Sequence, residues 1–180
     1  SLAFQAGVYA QSEAARELNR KGQLAIDSGH HQDAIRFLKE AMKLEPRWGE
    51  PYFNAAKLLR LRNRREEMVK MLKEALSRDP QNKAYAEAYA KVLKEDLVNA
   101  EKTQKTSDIV RLRQEIVQIN PGEIDIGLQI VQQHIDAGQN DKALTLAENL
   151  LENNPSLRTR YDSEPMGKLY MVLAALELKR

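Results

Sequence analysis

The 180 residues contain no cysteine, which removes disulfides, zinc–thiolate sites and thiol nucleophiles together. That absence suits a reducing cytosol and a periplasm equally. Glycine and proline number only 8 and 6, leaving little room for long irregular stretches. No apolar run approaches the ~20 residues that a membrane-spanning helix requires. The formal charge of +2 is too small to name a nucleic-acid or membrane partner by itself. No segment sustains the polar–apolar alternation of a strand. Gly-rich phosphate loops, HExxH and nucleophile elbows are missing, so no catalytic residue, metal site or cofactor is expected, and the chain reads as a non-enzyme.

What is present is Ala, Leu, Glu, Lys, Arg and Gln in quantity, all strong helix formers. The class is all-α, and the length suffices for one domain with a substantial core. Four prolines set a period: Pro46, Pro80, Pro121 and Pro155 each follow an apolar helical run, at spacings of 34, 41 and 34. Small residues recur in register with them. Gly22, Gly29, Ala34 and Ala41 precede Pro46; Ala56 and Ala75 precede Pro80; Gly138 and Ala143 precede Pro155. Small side chains let two antiparallel helices approach closely, and Gly29 and Gly138 can end a helix in the left-handed region. Each proline stops the second helix of a pair, because it has no N–H and disfavours helix before it.

Over roughly residues 15–157 this pattern resembles the tetratricopeptide repeat. The resemblance implies a right-handed helical-repeat solenoid of antiparallel helix pairs that stack to bury their apolar faces. Its repeats would span residues 15–48, 49–82, 83–123 and 124–157, flanked by 1–14 and 158–180. The repeats are imperfect. The family's aromatic near the start of the first helix appears as Tyr52, with Leu18 in the first unit, and Asn63 replaces the turn glycine of the second. The third unit carries seven extra residues, about two helical turns. Its first helix is expected to outrun its neighbours and project Val98–Lys105, with Thr106-Ser107-Asp108 capping the next helix; a looped insertion around Lys102–Thr106 is the alternative.

Both ends leave choices open. Residues 1–10, SLAFQAGVYA, read either as the tail of a signal peptide or as a helical extension in which Phe4 and Val8 pack one turn apart, so the location is cytoplasmic or exported. After Pro155 a loop carries Arg158, Arg160 and Tyr161, and Ser163 reads as an N-cap with Pro165 just inside the helix. That last helix, with Tyr170 and Ala174 in family columns, either caps the array or opens a truncated fifth repeat. Its apolar load favours truncation and offers a surface for self-association.

Candidate sites follow from the resemblance. His30 and His31 sit in a turn with only Asp33 near, too few groups for a metal. His134 shares a core-facing column with Ala25, Leu59 and Leu93, which makes it a hydrogen-bonded, partly buried histidine and not a catalytic base. In the family, first helices line a concave groove. One column into it reads Gln23, Lys57, Lys91 and Gln132; another reads Ile26, Arg60, Lys94 and Ile135. Lys57, Arg60, Lys91 and Lys94 would form a cationic cluster that receives an acidic partner segment. One subfamily clamps the C-terminal carboxylate of chaperones there. Asn19 and Gln23 stand for its first Lys and Asn, Asn54 matches, Lys83 matches approximately, and Glu87 reverses the charge of its Arg, so the clamp is expected to be absent.

The segment Lys57–Lys73 carries seven positive and two negative residues, with Arg62, Arg64 and Arg65 around a turn. This edge could meet phosphate, which makes a nucleic-acid-binding helical repeat using Arg60–Arg65 the alternative. Aromatic stacking residues are missing beside it. The leading expectation is a scaffold that binds another protein or peptide in its groove.

Overall fold

Eight helices occupy the described stretch of this computed structural model: α1 Glu13–Asp27, α2 His31–Leu44, α3 Glu50–Leu61, α4 Arg65–Arg78, α5 Lys83–Lys102, α6 Thr106–Ile119, α7 Ile124–Asp136 and α8 Asn140–Asn153. The structure describes residues 12–154 together with 167, 170, 171 and 173–175. The two readings of residues 1–10 and the proposed loop and N-cap at Arg158, Arg160, Tyr161, Ser163 and Pro165 lie outside them. Among the described residues there is no strand. The fold is an all-α helical repeat of antiparallel helix pairs.

The chain divides into two compact units, Ser1–Tyr89 and Ala90–Arg180, with the boundary inside α5. In the first unit α1 packs on α2 and α3, α2 on α3, and α3 on α4. Ala25, Ile26, Ala34, Leu38 and Leu58 form a core there. In the second unit α7 packs on both α6 and α8 around Val117, Ile130, Val131, Leu144 and Leu150, and Leu173 lies against that core.

Local chemistry sets the helix ends. The Ser12 hydroxyl accepts from the Ala15 N–H at 3.3 Å, and the Ser12 N–H donates to Glu45 at 3.0 Å, so the α1 cap is tied to the end of α2. All four turns within pairs close alike. The N–H groups of His30, Arg64, Lys105 and Gln139 donate to the carbonyls of Ala25, Leu59, Ala100 and His134, at 2.8–3.0 Å. This six-to-one closure needs a left-handed residue. Gly29, Asn63 and Gly138 supply it as the sequence indicates, at φ 75°, 56° and 71°, and Gln104 supplies the fourth at φ 53°.

The prolines do more than stop helices. The carbonyl of Pro46 accepts from Arg78 Nε at 2.6 Å, and that of Pro121 accepts from Asn154 Nδ2 at 2.8 Å. In each case the end of one second helix satisfies the loop that closed the previous one, 32 or 33 residues earlier.

The seven extra residues all enter α5. The second helices α2, α4, α6 and α8 are each 14 residues long, whereas α5 has 20 against 12–15 for α1, α3 and α7. Asn99 is helical, which removes the looped alternative. The expected projection of Val98–Lys105 is corrected: Leu97 and Ala100 are buried, and Glu101 accepts from Arg113 of α6 at 2.9 Å. A 14-residue antiparallel partner joined by a tight turn flanks the C-terminal part of a 20-residue helix, so the surplus falls at the N-terminal part. That part, Lys83–Tyr89, belongs to the first unit, where Tyr85 meets Phe53 and Lys73 lies over Tyr89. Thr106 is likewise the first helical residue and not a cap; Lys105 precedes it without a side-chain bond.

Candidate functional site

Helix α3 reads EPYFNAAKLLRL, which puts Phe53, Asn54 and Lys57 within one turn of each other. Asn54 is only 2% exposed, so its amide must be satisfied inside the protein. Its Nδ2 donates to Asn19 Oδ1 of α1 at 2.9 Å, and its Oδ1 accepts from Lys57 Nζ at 3.0 Å. The same ammonium stands 4.6 Å from the Phe53 ring centroid, a cation–π distance. Phe53 in turn packs on Tyr85, with ring centroids 4.8 Å apart. Burial pushes the Tyr85 phenol up to about 12, with the Glu50 and Asp79 carboxylates adding to the shift.

Lys57 is therefore an exposed cation on a fixed base. One of its three donors is committed to Asn54, the ring holds it from another side, and two N–H groups remain for a ligand. No carboxylate pairs with it among the described residues. Arg60, one turn on, is also exposed and without an ion-pair partner among them. Asn19 and Asn54, expected in the groove lining, are instead buried beneath Lys57. Their contribution is to position the lysine. Gln23 spends its amide on Asp27 at 2.8 Å.

The candidates of the second unit differ. Lys94 is no open cation, because Glu123 from the loop before α7 pairs with it at 2.7 Å. Helical spacing from Lys94 does not reach this carboxylate, which lies 29 residues away. Lys91 is exposed, and Gln132 donates to Asp136 at 2.8 Å. His134 is half-buried, with Nδ1 2.8 Å from Gln139 Oε1, as its column suggests. On the basic edge Arg62 is exposed, Arg64 pairs with Glu67 and Arg65 is also engaged. Among the described residues no three His, Asp or Glu converge as a metal site, and no helix is long and apolar enough to cross a membrane.

Residues 25–92 match the tetratricopeptide repeat family. This segment is a tetratricopeptide repeat. It contains α2, α3 and α4 whole and therefore the Phe53–Asn54–Lys57 cluster. No curated protein matches the sequence. Among solved structures, MamA (residues 41 to the end) from Desulfovibrio magneticus RS-1 is 14% identical, covering 95% of this chain and 99% of its own, with a TM-score of 0.47. A tetratricopeptide repeat protein from Parabacteroides merdae is 18% identical over 93% of this chain and 62% of its own, TM-score 0.46. The structure of Naa15/Naa10 bound to HypK-THB aligns at 12% identity over 92% of this chain and 29% of that one, TM-score 0.50. At such identities the likeness concerns the fold alone. Tetratricopeptide repeats are generally non-catalytic scaffolds that bind other proteins or peptides, and that coarse function is the one the match supports.

Proposed function

We propose that this chain is a non-catalytic adaptor whose first unit receives an acidic segment of a partner protein at Lys57 and Arg60. The observation that carries the reading is the state of Lys57: anchored by a buried asparagine, stacked on Phe53, and paired with no carboxylate among the described residues. An ammonium already immobilised loses little further side-chain entropy on binding, which favours a specific contact over general charge attraction.

A capped decapeptide of alternating Glu and Ser, followed by fluorescence anisotropy, tests this. Binding is expected to weaken as salt is raised. Lys57→Glu should lower affinity at least tenfold with an unchanged circular dichroism spectrum, and Lys57→Glu with Arg60→Glu should abolish binding. Unchanged affinity in the Lys57→Glu variant overturns the reading. If single-stranded RNA binds instead, and Arg62→Glu abolishes that binding, the nucleic-acid alternative replaces it.

A further inference from the structure

Helix α3 carries a second feature on the face of Lys57. The turn closures put the first helices in register, with the carbonyls of Ala25, Leu59 and His134 at equivalent positions. The residues two before and two after each of these lie one helical turn apart on one face. In α1 and α7, two of the four first helices, they are a glutamine and an aspartate. The amide donates to the carboxylate at 2.8 Å in both, Gln23 to Asp27 and Gln132 to Asp136. In α3 they are Lys57 and Leu61. A cation stands in place of the amide and an aliphatic side chain in place of the carboxylate. No carboxylate on the next turn of the helix therefore competes for Lys57, and Leu61 is 61% exposed.

A lone exposed leucine is common on protein surfaces and decides nothing. Its distance from the ammonium does. Asn54 and Phe53 hold Lys57 in place, so the point at which a ligand carboxylate binds is fixed. Leu61 follows four residues on, about 6 Å further along the helix axis. A carboxylate laid over Leu61 gives up water for methyl groups and gains no partner. A large apolar side chain there removes both surfaces from water. In extended chain, residues two apart turn the same way and lie about 6.6 Å apart, which matches the helical rise. Arg60, beside Leu61 in the chain and one turn from Lys57, remains for a second carboxylate.

We infer that Leu61 is a specificity determinant of this site. The segment received at Lys57 is then acidic and apolar together, with a leucine-sized side chain two residues from the carboxylate that meets the ammonium. This rests on the reading of Lys57 as an acidic-segment site and narrows it: charge brings the partner, and Leu61 selects among acidic segments. Lys57, Arg60 and Leu61 all lie on α3, so one helix sets their spacing.

Three capped decapeptides, followed by fluorescence anisotropy on the full chain, test this. The parent alternates Glu and Ser, and the other two carry Leu or Ser in place of its third Glu. If charge alone governs binding, both replacements weaken it, since each removes one negative charge. With Leu61 selecting, the Leu peptide should bind about tenfold tighter than the parent, on the scale of burying one leucine side chain. The Ser peptide should bind more weakly than the parent. Leu61→Ser, at an exposed position, should leave the thermal melt unchanged and bring the Leu peptide down to the level of the Ser peptide. Leu61→Met should keep the preference. The inference is overturned if the wild type binds the Leu peptide no better than the parent, or if the preference survives Leu61→Ser; either result leaves the acidic site standing. If the wild type binds none of the three, or Lys57→Glu binds the parent as the wild type does, the reading of Lys57 falls and the inference falls with it.

Discussion

The two units fill one position of their second helices with side chains of different volume. Five residues before each proline, the second helix presents a nearly fully buried side chain: Ala41 and Ala75 in the first unit, Ile116 and Leu150 in the second. Twenty-eight residues before Pro46 and Pro80 stand Leu18 and Tyr52, and before Pro155 stands Gly127. A Cβ built on Gly127 would lie 2.6 Å from Leu150 Cδ2, so the leucine occupies the space the glycine vacates. A helix crossing needs a fixed volume filled, and either helix can supply it. A repeat family held together by such crossings can therefore lose its residue signature while keeping its fold. The units differ in ion pairing too: among the described residues the first leaves Lys57 and Arg60 without a carboxylate partner, while the second pairs Lys94 with Glu123.

The sharpest way to break this comparison is to move volume across the crossing. Leu150→Ala should destabilise the chain by about 2–5 kcal/mol in urea unfolding, because the leucine is 1% exposed and leaves a cavity. Adding Gly127→Leu converts the crossing to the first unit's pattern and should recover part of the loss. A double variant no better than the single one would show that the sizes are unrelated. In the first unit Ala41→Leu should cost about 1–3 kcal/mol by overpacking. Asn54→Ala comes next, at about 1–3 kcal/mol, since it leaves the Asn19 carbonyl oxygen buried without its donor. The same variant releases Lys57, so acidic-peptide affinity should fall together with the melting temperature.

Tyr85 sharpens the comparison through pH. Its folded value of about 12 lies above the ordinary 10.0, so the protonated phenol adds stability that is whole below pH 10 and is lost as pH rises toward 12. The gain is at most about 1–2 kcal/mol once solvent screening is allowed for. Tyr85→Phe should flatten the decline in stability between pH 10 and 12; an unchanged slope would assign the alkaline loss to other groups. The smallest effect belongs to the second unit's ion pair. Lys94→Met should cost about 0.2–1 kcal/mol, as for other exposed pairs, while exposing Glu123 to solvent.

The helix pairs were legible because local rules and tertiary packing agree over most of the chain. Proline breaks, small-residue columns and left-handed turn residues are short-range signals, and they located Gly29, Asn63 and Gly138 as turns. Gln104 escaped, because glutamine carries no left-handed preference and takes that conformation only where the turn closure demands it. The site was half legible. Family columns placed Lys57 and Arg60 on an exposed face, but the same columns put Asn19 and Asn54 there, although both are buried.

The sequence by itself determined the all-α class, the period, the turns at Gly29, Asn63 and Gly138 and the identity of the cations, since each depends on residues within a few positions of one another. Tertiary structure alone decided which cations stay open. Glu123 reaches Lys94 from 29 residues away, and Asn19 fixes Lys57 through Asn54 across 35. Pairing of this kind depends on where helices cross, and a crossing is set by the summed volume of two faces, which no single column of residues reveals.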